Sequence, residues 1–266
     1  MRKPYPTDLS DAQWTRLQSC LPTPKAQGRP RTHSLRDVLD AIFYVLKSGG
    51  HWRLLPHDFP PWSTVYYHFR RFRLSGLWFL ILKALRAAER NRAGKDPQPT
   101  AAIMDSQSVK TVEESAYPSG YDAHKNVKGR KRHLLVDTLG LPLSIYVTSA
   151  DVQDRVGARC LLAGLKALLP RLKKIWADGA YTGEKLARWC KEQGRWELQF
   201  VERSSSSMDT EGFAVLPRRW IVERTFGWLI RNRRLSKDYE RKVQSSETFI
   251  EVAMIRLMLR RLARGV

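Results

Sequence analysis

The hydrophobic period of the chain changes once, at Gly94-Lys95-Asp96-Pro97-Gln98-Pro99. That change constrains the fold more than any other feature. Before it, apolar residues recur at intervals of three and four. Leu35, Val38, Leu39, Ile42, Phe43 and Leu46 form one stripe that stops at Gly49-Gly50, the pattern of an amphipathic helix closed by glycine. Ser10-Asp11-Ala12-Gln13-Trp14 opens an earlier helix on a capping serine. Residues 62–73 and 77–88 predict two more, and 22–31 is a loop rich in Pro, Gly and basic residues. After the linker, short apolar runs alternate with helical ones. Strands are expected at 101–104, 174–177 and 196–201, and a hairpin at 133–147 turning on Thr138-Leu139-Gly140. Helices are expected at 156–169, 184–192, 217–234 and 247–264, with a polar loop at 204–207. That order is the order of an α/β sandwich with a mixed sheet. The chain thus divides into a mostly helical domain, 1–96, and an α/β domain, 97–266.

Composition narrows the partner. Lys and Arg number 47 against 26 Asp and Glu, a net charge of +21, while 42% of residues are hydrophobic. A real core is affordable, which excludes a disordered basic tail. Residues 1–96 carry +10 and residues 97–266 carry +11, so both halves suit a long polyanion better than a small substrate. No run approaches the roughly 20 apolar residues of a membrane span. Met1-Arg2-Lys3-Pro4-Tyr5-Pro6 has no apolar run behind it, so no secretory signal is expected. Cys20, Cys160 and Cys190 lie far apart with no CxxC pair, against a disulfide framework or a zinc ribbon. His33, His51 and His57 have no partners at metal-ligand spacing. A cytoplasmic protein that engages nucleic acid and no membrane is expected.

The informative acids are those at strand ends. Asp105 follows Ala101-Ala102-Ile103-Met104, and Asp178 follows Lys174-Ile175-Trp176-Ala177. Such positions at the carboxyl edge of a sheet are where α/β folds place their sites. Glu223 lies in Arg219-Trp220-Ile221-Val222-Glu223-Arg224-Thr225-Phe226, a helix whose Trp220, Val222 and Phe226 are expected to face the core. Three carboxylates from separate segments suit hard divalent cations, which clamp the oxygens of an in-line phosphoryl displacement. An Asp after a strand serves equally as a turn residue or a helix cap. Asp137 reads as turn chemistry, and Asp151 and Asp154 read as caps.

At these residues the chain resembles a known family, the bacterial insertion-sequence transposases of the DDE type, insertion sequence five group. The pieces that carry the resemblance run in order along nearly the whole chain. They are Gly50-His51-Trp52-Arg53-Leu54-Leu55-Pro56, Pro60-Pro61-Trp62-Ser63-Thr64-Val65-Tyr66, Met104-Asp105-Ser106-Gln107-Ser108-Val109-Lys110, Lys128-Gly129-Arg130-Lys131-Arg132-His133, Ala177-Asp178-Gly179-Ala180-Tyr181 and Arg219 to Leu229. The resemblance implies an RNase H-like catalytic domain preceded by a helical, helix-turn-helix-like DNA-binding domain. It also implies Asp105, Asp178 and Glu223 as a triad holding two Mg²⁺ ions, with Mn²⁺ able to substitute. The implied reaction cleaves the element ends to 3′-hydroxyls and joins them to target DNA, with no covalent protein–DNA intermediate. The related signature has an Arg four residues before the Glu, matched by Arg219. It also has a Tyr and a Lys where this chain has Leu216 and Ile230, so the Lys role is left to Arg231, Arg233, Arg234 or Lys237. Only 44 residues separate Asp178 from Glu223, too few for the insertion domain that some relatives carry.

DNA contacts follow as expectations. Lys125, Lys128, Arg130, Lys131 and Arg132 form a dense cluster, with Tyr117, Tyr121, His124 and His133 among the charges. It reads as phosphate contact with stacking faces, or else as a solvated loop or protected hairpin edge. Arg231, Arg233, Arg234 and Lys237 read as a grip on the flanking strand or as a solvated helix end. Arg29 and Arg31 flank Pro30 like a basic arm for a minor groove, or an exposed linker. The helix at 62–73 reads as a recognition helix, with Ser63, Thr64, Tyr67 and His68 towards bases and Arg70 and Arg71 towards phosphates, or as a packing helix. Trp52, Trp62, Phe69 and Trp78 read as core. The expected partners are the double-stranded terminal repeats, target DNA and a second copy of the chain, at the bacterial nucleoid. Two alternatives share the fold: an inactive sequence-specific DNA-binding protein and a structure-specific nuclease.

Overall fold

The computed structural model describes residues 2–23, 32–113, 118–201 and 219–264. Arg29, Arg31, Tyr117, Leu216 and the loop at 204–207 lie outside them. The chain forms two compact units. One comprises Met1–Lys95, Leu229–Lys237 and Thr248–Val266, the other Asp96–Trp228 and Asp238–Glu247.

The first unit is helical, with α1 (Asp11–Gln18), α2 (Leu35–Ser48), α3 (Trp62–Leu74) and α4 (Leu77–Arg92). Ser10 and Gln13 cap α1 reciprocally, so two end N–H groups are satisfied. The apolar stripe of α2 is buried. Gly49 ends that helix at φ +77°, and a Cβ there would lie 3.0 Å from the Cβ of Arg233, so backbone angle and space both require glycine. Next to it, Arg234 donates to the carbonyl of Gly50 at 3.0 Å and Lys47 to that of Arg231 at 2.6 Å. Phe69 packs against Trp52 and Phe249, with ring centres 5.1 and 4.8 Å away. The Trp78 indole donates to the Phe69 carbonyl at 3.2 Å. Trp62 departs from expectation. It opens α3 behind Pro61, is 38% exposed, and lies under the Arg53 guanidinium.

The second unit is built on a mixed sheet of β1 (Ala101–Lys110), β2 (Gly120–Asp122), β3 (Val127–Asp137), β4 (Pro142–Ser149), β5 (Lys174–Ala177) and β6 (Glu197–Phe200). The strand order is β2-β3-β1-β5-β6, with β4 also on β3. β1, β2 and β4 pair antiparallel with β3, while β5 joins β1 and β6 in parallel. The turn from β3 to β4 is local chemistry. Asp137 Oδ1 accepts the N–H groups of Leu139 and Leu141 at 2.8 and 2.9 Å, and Gly140 takes φ +81°. Helices α5 (Asp154–Leu162), α6 (Leu165–Leu168) and α7 (Glu184–Gly194) supply Ala158, Leu161, Leu165, Leu186 and Cys190 to a core shared with Met104, Leu135 and Ile175.

Several lengths differ from the sequence expectation. The first strand runs on to Lys110 because β3 pairs with it along nine residues, from Ala102–Asp137 to Lys110–Gly129. The hairpin arm expected from His133 begins at Val127, so Lys128, Arg130, Lys131 and Arg132 are inside a strand and Lys125 lies just before it. The helix expected at 156–169 is broken at Gly164, which adopts φ +70°. The helix expected at 217–234 is α8 (Trp220–Ile230) followed by one tight turn, Arg233–Leu235, and α9 (Val243–Ala263) begins four residues before the expected 247.

Gly157 on α5 lies flat on the His133 ring, and a Cβ there would fall 2.1 Å from its Cε1. The imidazole is fully buried, within 3.0 Å of Thr148 Oγ1, and burial lowers its pKa to about 4. Gly157→Ala overpacks a site with no slack, so it should lower stability by about 1–3 kcal/mol. Denaturant midpoints of the two proteins measure it.

Candidate active site

Strand register brings two carboxylates together. β1 and β5 pair Ala101 with Lys174, Ala102 with Ile175 and Ile103 with Trp176. Two residues further on, the chain reaches Asp105 in β1 and Asp178 just past the end of β5. Alternation puts both on the face carrying Ile103 and Trp176. Asp105 does not follow its strand, as the apolar run indicated. It sits in the middle of β1, opposite Leu134, and is 9% exposed. Its Oδ1 accepts the Ser106 N–H at 2.7 Å. Burial, and then the charge of Asp178, push the Asp105 carboxyl up to about 7, against the pull of the Ser106 N–H, Arg219 and Lys125. Asp178 also caps the single turn Gly179–Tyr181, accepting the Ala180 N–H at 3.0 Å.

Glu223 stands in the first turn of α8 with its side chain half exposed. The helix is fastened to the β3–β4 turn. Thr225 Oγ1 donates to the Gly140 carbonyl at 2.8 Å, and Arg224 to that of Leu139 at 3.0 Å. Val222 and Phe226 are buried as expected, but Trp220 is 43% exposed and stacks on Arg224. Arg219 links the acids. Its Nη2 lies 3.5 Å from Asp178 Oδ2 and its Nε 3.2 Å from Glu223 Oε1. Among the described residues, no three His, Cys, Asp or Glu side chains converge on one point as a metal cage.

The opposite face of β1 carries a buried network that the sequence did not disclose. Ser106 Oγ donates to Asp154 Oδ1 at 2.7 Å, and Ser108 Oγ to Asp122 Oδ2 at 2.5 Å. Lys131 lies between those acids, 3.3 Å from Asp154 and 3.7 Å from Asp122, and donates to the Val152 carbonyl at 2.8 Å. Asp154 is thus more than a cap. Gln153 holds the N-cap position of α5, and the Asp154 carboxylate turns inward. The available signal was two hydroxyls at alternate positions of a strand, 106 and 108, which on an inward face require partners. The Tyr181 hydroxyl is buried near Asp105, Asp154 and Ser106, and burial raises its pKa well above its usual range.

Two family models match this chain. A model described as "Transposase DDE domain" matches residues 96–258, the stretch holding β1, β5 and α8. The chain belongs to the DDE transposase family. A second model, "Putative transposase of IS4/5 family", matches residues 9–82, which places it in that group. The mixed sheet is thus an RNase H-like fold preceded by a helical region. The chain is similar to a protein of Burkholderia cepacia named "Putative transposase for insertion sequence element IS402", 29% identical over 132 residues. That alignment covers 47% of this chain and 60% of the relative, so the chain spans about three fifths of it. It is also similar to a Brucella ovis protein named "Putative transposase for insertion sequence element IS6501". There it is 30% identical over 131 residues, 49% of this chain and 98% of the relative.

The chain does not expose all of its expected DNA-facing cations. Arg130 and Arg132 are fully buried and Lys131 nearly so. Strand alternation divides them: Lys131 and His133 join the Ser106 face, while Arg130 and Arg132 take the other. Arg130 pairs with buried Asp238 at 3.1 Å and donates to the carbonyls of Pro118, Glu240 and Arg241. The cluster is not one exposed patch or a solvated loop: three of its five cations are interior and only Lys125 and Lys128 are exposed. His133, expected as a stacking face, is interior, while Tyr121 and His124 are exposed. In the helical unit, Ser63, Tyr67, Arg70 and Arg71 share one exposed face of α3, with Thr64 and His68 half-buried beside them. That face lies opposite buried Val65, Phe69 and Phe72. Arg231, Arg233 and Lys237 are exposed, whereas Arg234 is buried on Gly50 and over the Phe249 ring.

Two outcomes follow from these burials. Asp105 ordinarily titrates near 3.8 and is raised to about 7 here. Between those values the folded protein keeps a proton that the unfolded chain releases. The carboxyl's contribution to stability is therefore full below pH 3.8 and is lost as pH rises through 7. Asp105→Asn should be more stable than the parent at pH 8 in chelating buffer, by on the order of 3 kcal/mol, and about equal at pH 4. Thermal unfolding at the two pH values checks this. Arg130→Met should cost about 3–5 kcal/mol, because it removes the buried cation beside Asp238 and the donor to the carbonyls of Pro118, Glu240 and Arg241. Lys128→Met should leave the unfolding free energy, read from denaturant curves, within about 0.5 kcal/mol of the parent.

Proposed function

We propose that this transposase binds the ends of an insertion element, cleaves them and joins them to target DNA. Water breaks the bond between phosphorus and the 3′ oxygen at the element end, leaving a 3′-hydroxyl and a 5′-phosphate. That hydroxyl then attacks a target phosphodiester, displacing the target's own 3′ oxygen. The observation that carries the reading is the proximity of Asp105 and Asp178, each two residues beyond the last paired position, Ile103–Trp176, of the parallel strands β1 and β5. Each is an acid facing its like inside a chain of net charge +21.

The donor set fits a hard divalent cation. It is all carboxylate oxygen, and the charge of Asp178 acts to keep a proton on buried Asp105, a penalty that a shared cation relieves. Asp105 and Asp178 would hold the ions, with Glu223 completing the site. Two Mg²⁺ ions, or Mn²⁺ in their place, would stabilise charge on the entering and leaving oxygens at phosphorus. The Ser106–Asp154–Lys131 network holds β1 from behind and fixes the backbone that carries Asp105. Lys125 reaches the Ser106 carbonyl at 3.3 Å from the exposed side, and with Lys128 it offers phosphate contacts near the acids. Neither Tyr nor Ser need serve as a nucleophile.

In this reading residues 1–96 recognise the terminal repeats and residues 97–266 perform the chemistry. The exposed face of α3 supports the first role. Ser63 and Tyr67 stand towards bases and Arg70 and Arg71 towards phosphates, flanked by Thr64 and His68. Arg231, Arg233 and Lys237 extend the basic surface, and Arg219 supplies a fork for a phosphate oxygen. Two element ends handled together call for two copies of the chain on DNA. No helix among the described residues is long and apolar enough to cross a membrane, and a place at the nucleoid follows from the DNA partner.

The test is incubation with Mg²⁺ and DNA carrying the ends that flank the gene, followed by mapping of broken and joined strands. The parent should yield 3′-hydroxyl ends and joined target. Asp105→Asn, Asp178→Asn and Glu223→Gln should each lose cleavage by about 10²–10³-fold or more. Cutting without joining would identify a nuclease, and binding without cutting an inactive DNA-binding protein. Undiminished cleavage by any one variant removes that residue from the triad.

A further inference from the structure

Arg219 occupies a position that its own helix does not favour. It immediately precedes α8, where the helix dipole presents positive charge. It also stands four residues N-terminal to Glu223, the less favourable order for an i, i+4 ion pair. What holds the guanidinium there is the pair of acids. One fork lies against two carboxylates from separate elements, 3.5 Å from Asp178 Oδ2 and 3.2 Å from Glu223 Oε1. Among the described residues no other cation makes ion pairs of 4 Å or less with any of the three acids. The side chain is 31% exposed, so it is open to solvent and can leave.

We propose that Arg219 is the site's own counter-cation in the metal-free protein, and that a divalent ion must displace it to reach the same oxygens. The proposal rests on Asp178 and Glu223 being metal ligands. Without the guanidinium these acids would face one another with no fixed positive charge between them. With it, the carboxylates of β5's end and α8 are held together before any ion arrives. The same contact makes the site weaker for metal, because ion and guanidinium compete for Asp178 Oδ2 and Glu223 Oε1. Once displaced, the planar fork is matched to a phosphate as well as to a carboxylate, so entry of metal would free it for DNA.

Mn²⁺ binding by calorimetry and thermal unfolding, each on the full chain without DNA, test this. The proteins compared are the parent, Arg219→Gln, Arg219→Lys, Asp178→Asn and Glu223→Gln. Arg219→Gln should bind Mn²⁺ about tenfold more tightly than the parent, with Arg219→Lys between them because it keeps the charge and loses the fork. In chelator Arg219→Gln should unfold about 2–4 °C below the parent, and saturating Mn²⁺ should remove the difference. Parent-like Mn²⁺ affinity in Arg219→Gln, or a stability loss equal with and without Mn²⁺, overturns the proposal. If affinity is lost in Asp178→Asn and Glu223→Gln while Arg219→Gln binds as the parent does, the metal site stands and only the role of Arg219 falls. If neither acid variant weakens Mn²⁺ binding, the metal-site reading falls and the role of Arg219 falls with it.

Discussion

A carboxylate buried halfway along the central strand of a sheet is the constraint on which the α/β unit depends. Such a group is costly unless its surroundings are built for it. β5 stops at Ala177, so the neighbouring position is open and Asp178 can stand near Asp105. On the reverse face a satisfied network ties Ser106 and Ser108 to Asp154, Lys131 and Asp122, which resists any shift of β1. α8 in turn is hung from the β3–β4 turn, where Gly140 leaves room for Thr225 and Trp228. Each of these features positions an acid rather than adding bulk to the core.

The net charge of the chain overstates the charge it can offer to DNA. Arg130, Lys131, Arg132 and Arg234 are interior, and the contacts described for Arg130, Lys131 and Arg234 are with acids, carbonyls and a ring inside the protein. Buried ion pairs of this kind contribute little net stability but are costly to break. Their effect is geometric. Arg130 fastens β3 to the segment at 238–241, and Arg234 fastens the end of α2 to the tight turn after α8.

Local patterns made much of this legible in the sequence. The stripe of α2 and its glycine stop, the Ser10 cap, the Asp137–Gly140 turn and the acid at the end of β5 all depend on neighbours within a few residues. The features that escaped depend on distant ones. Arg130 reads as surface because the acid that pairs with it in the interior, Asp238, lies 108 residues beyond it. β1 looked four residues long because Asp105, Ser106, Gln107 and Ser108 are polar, yet their pairing with β3 extends it to ten. Asp154 looked like a cap because its partners, Ser106 and Lys131, come from two other strands. Asp105, Asp178 and Glu223 were individually ambiguous, and the resemblance to a family singled them out as the proposed triad.

The composition of the helical unit has a consequence for how such a protein can change over time. Its core takes in Leu229–Lys237 and Thr248–Val266 along with the first 95 residues. Phe249 packs on Phe69, and Arg233 and Arg234 fill the space around Gly49 and Gly50. A front segment exchanged between two related genes at the linker would arrive without the side chains that complete it. Residues 1–95 alone therefore do not complete the core of this unit, and the segments that pack together are inherited as one.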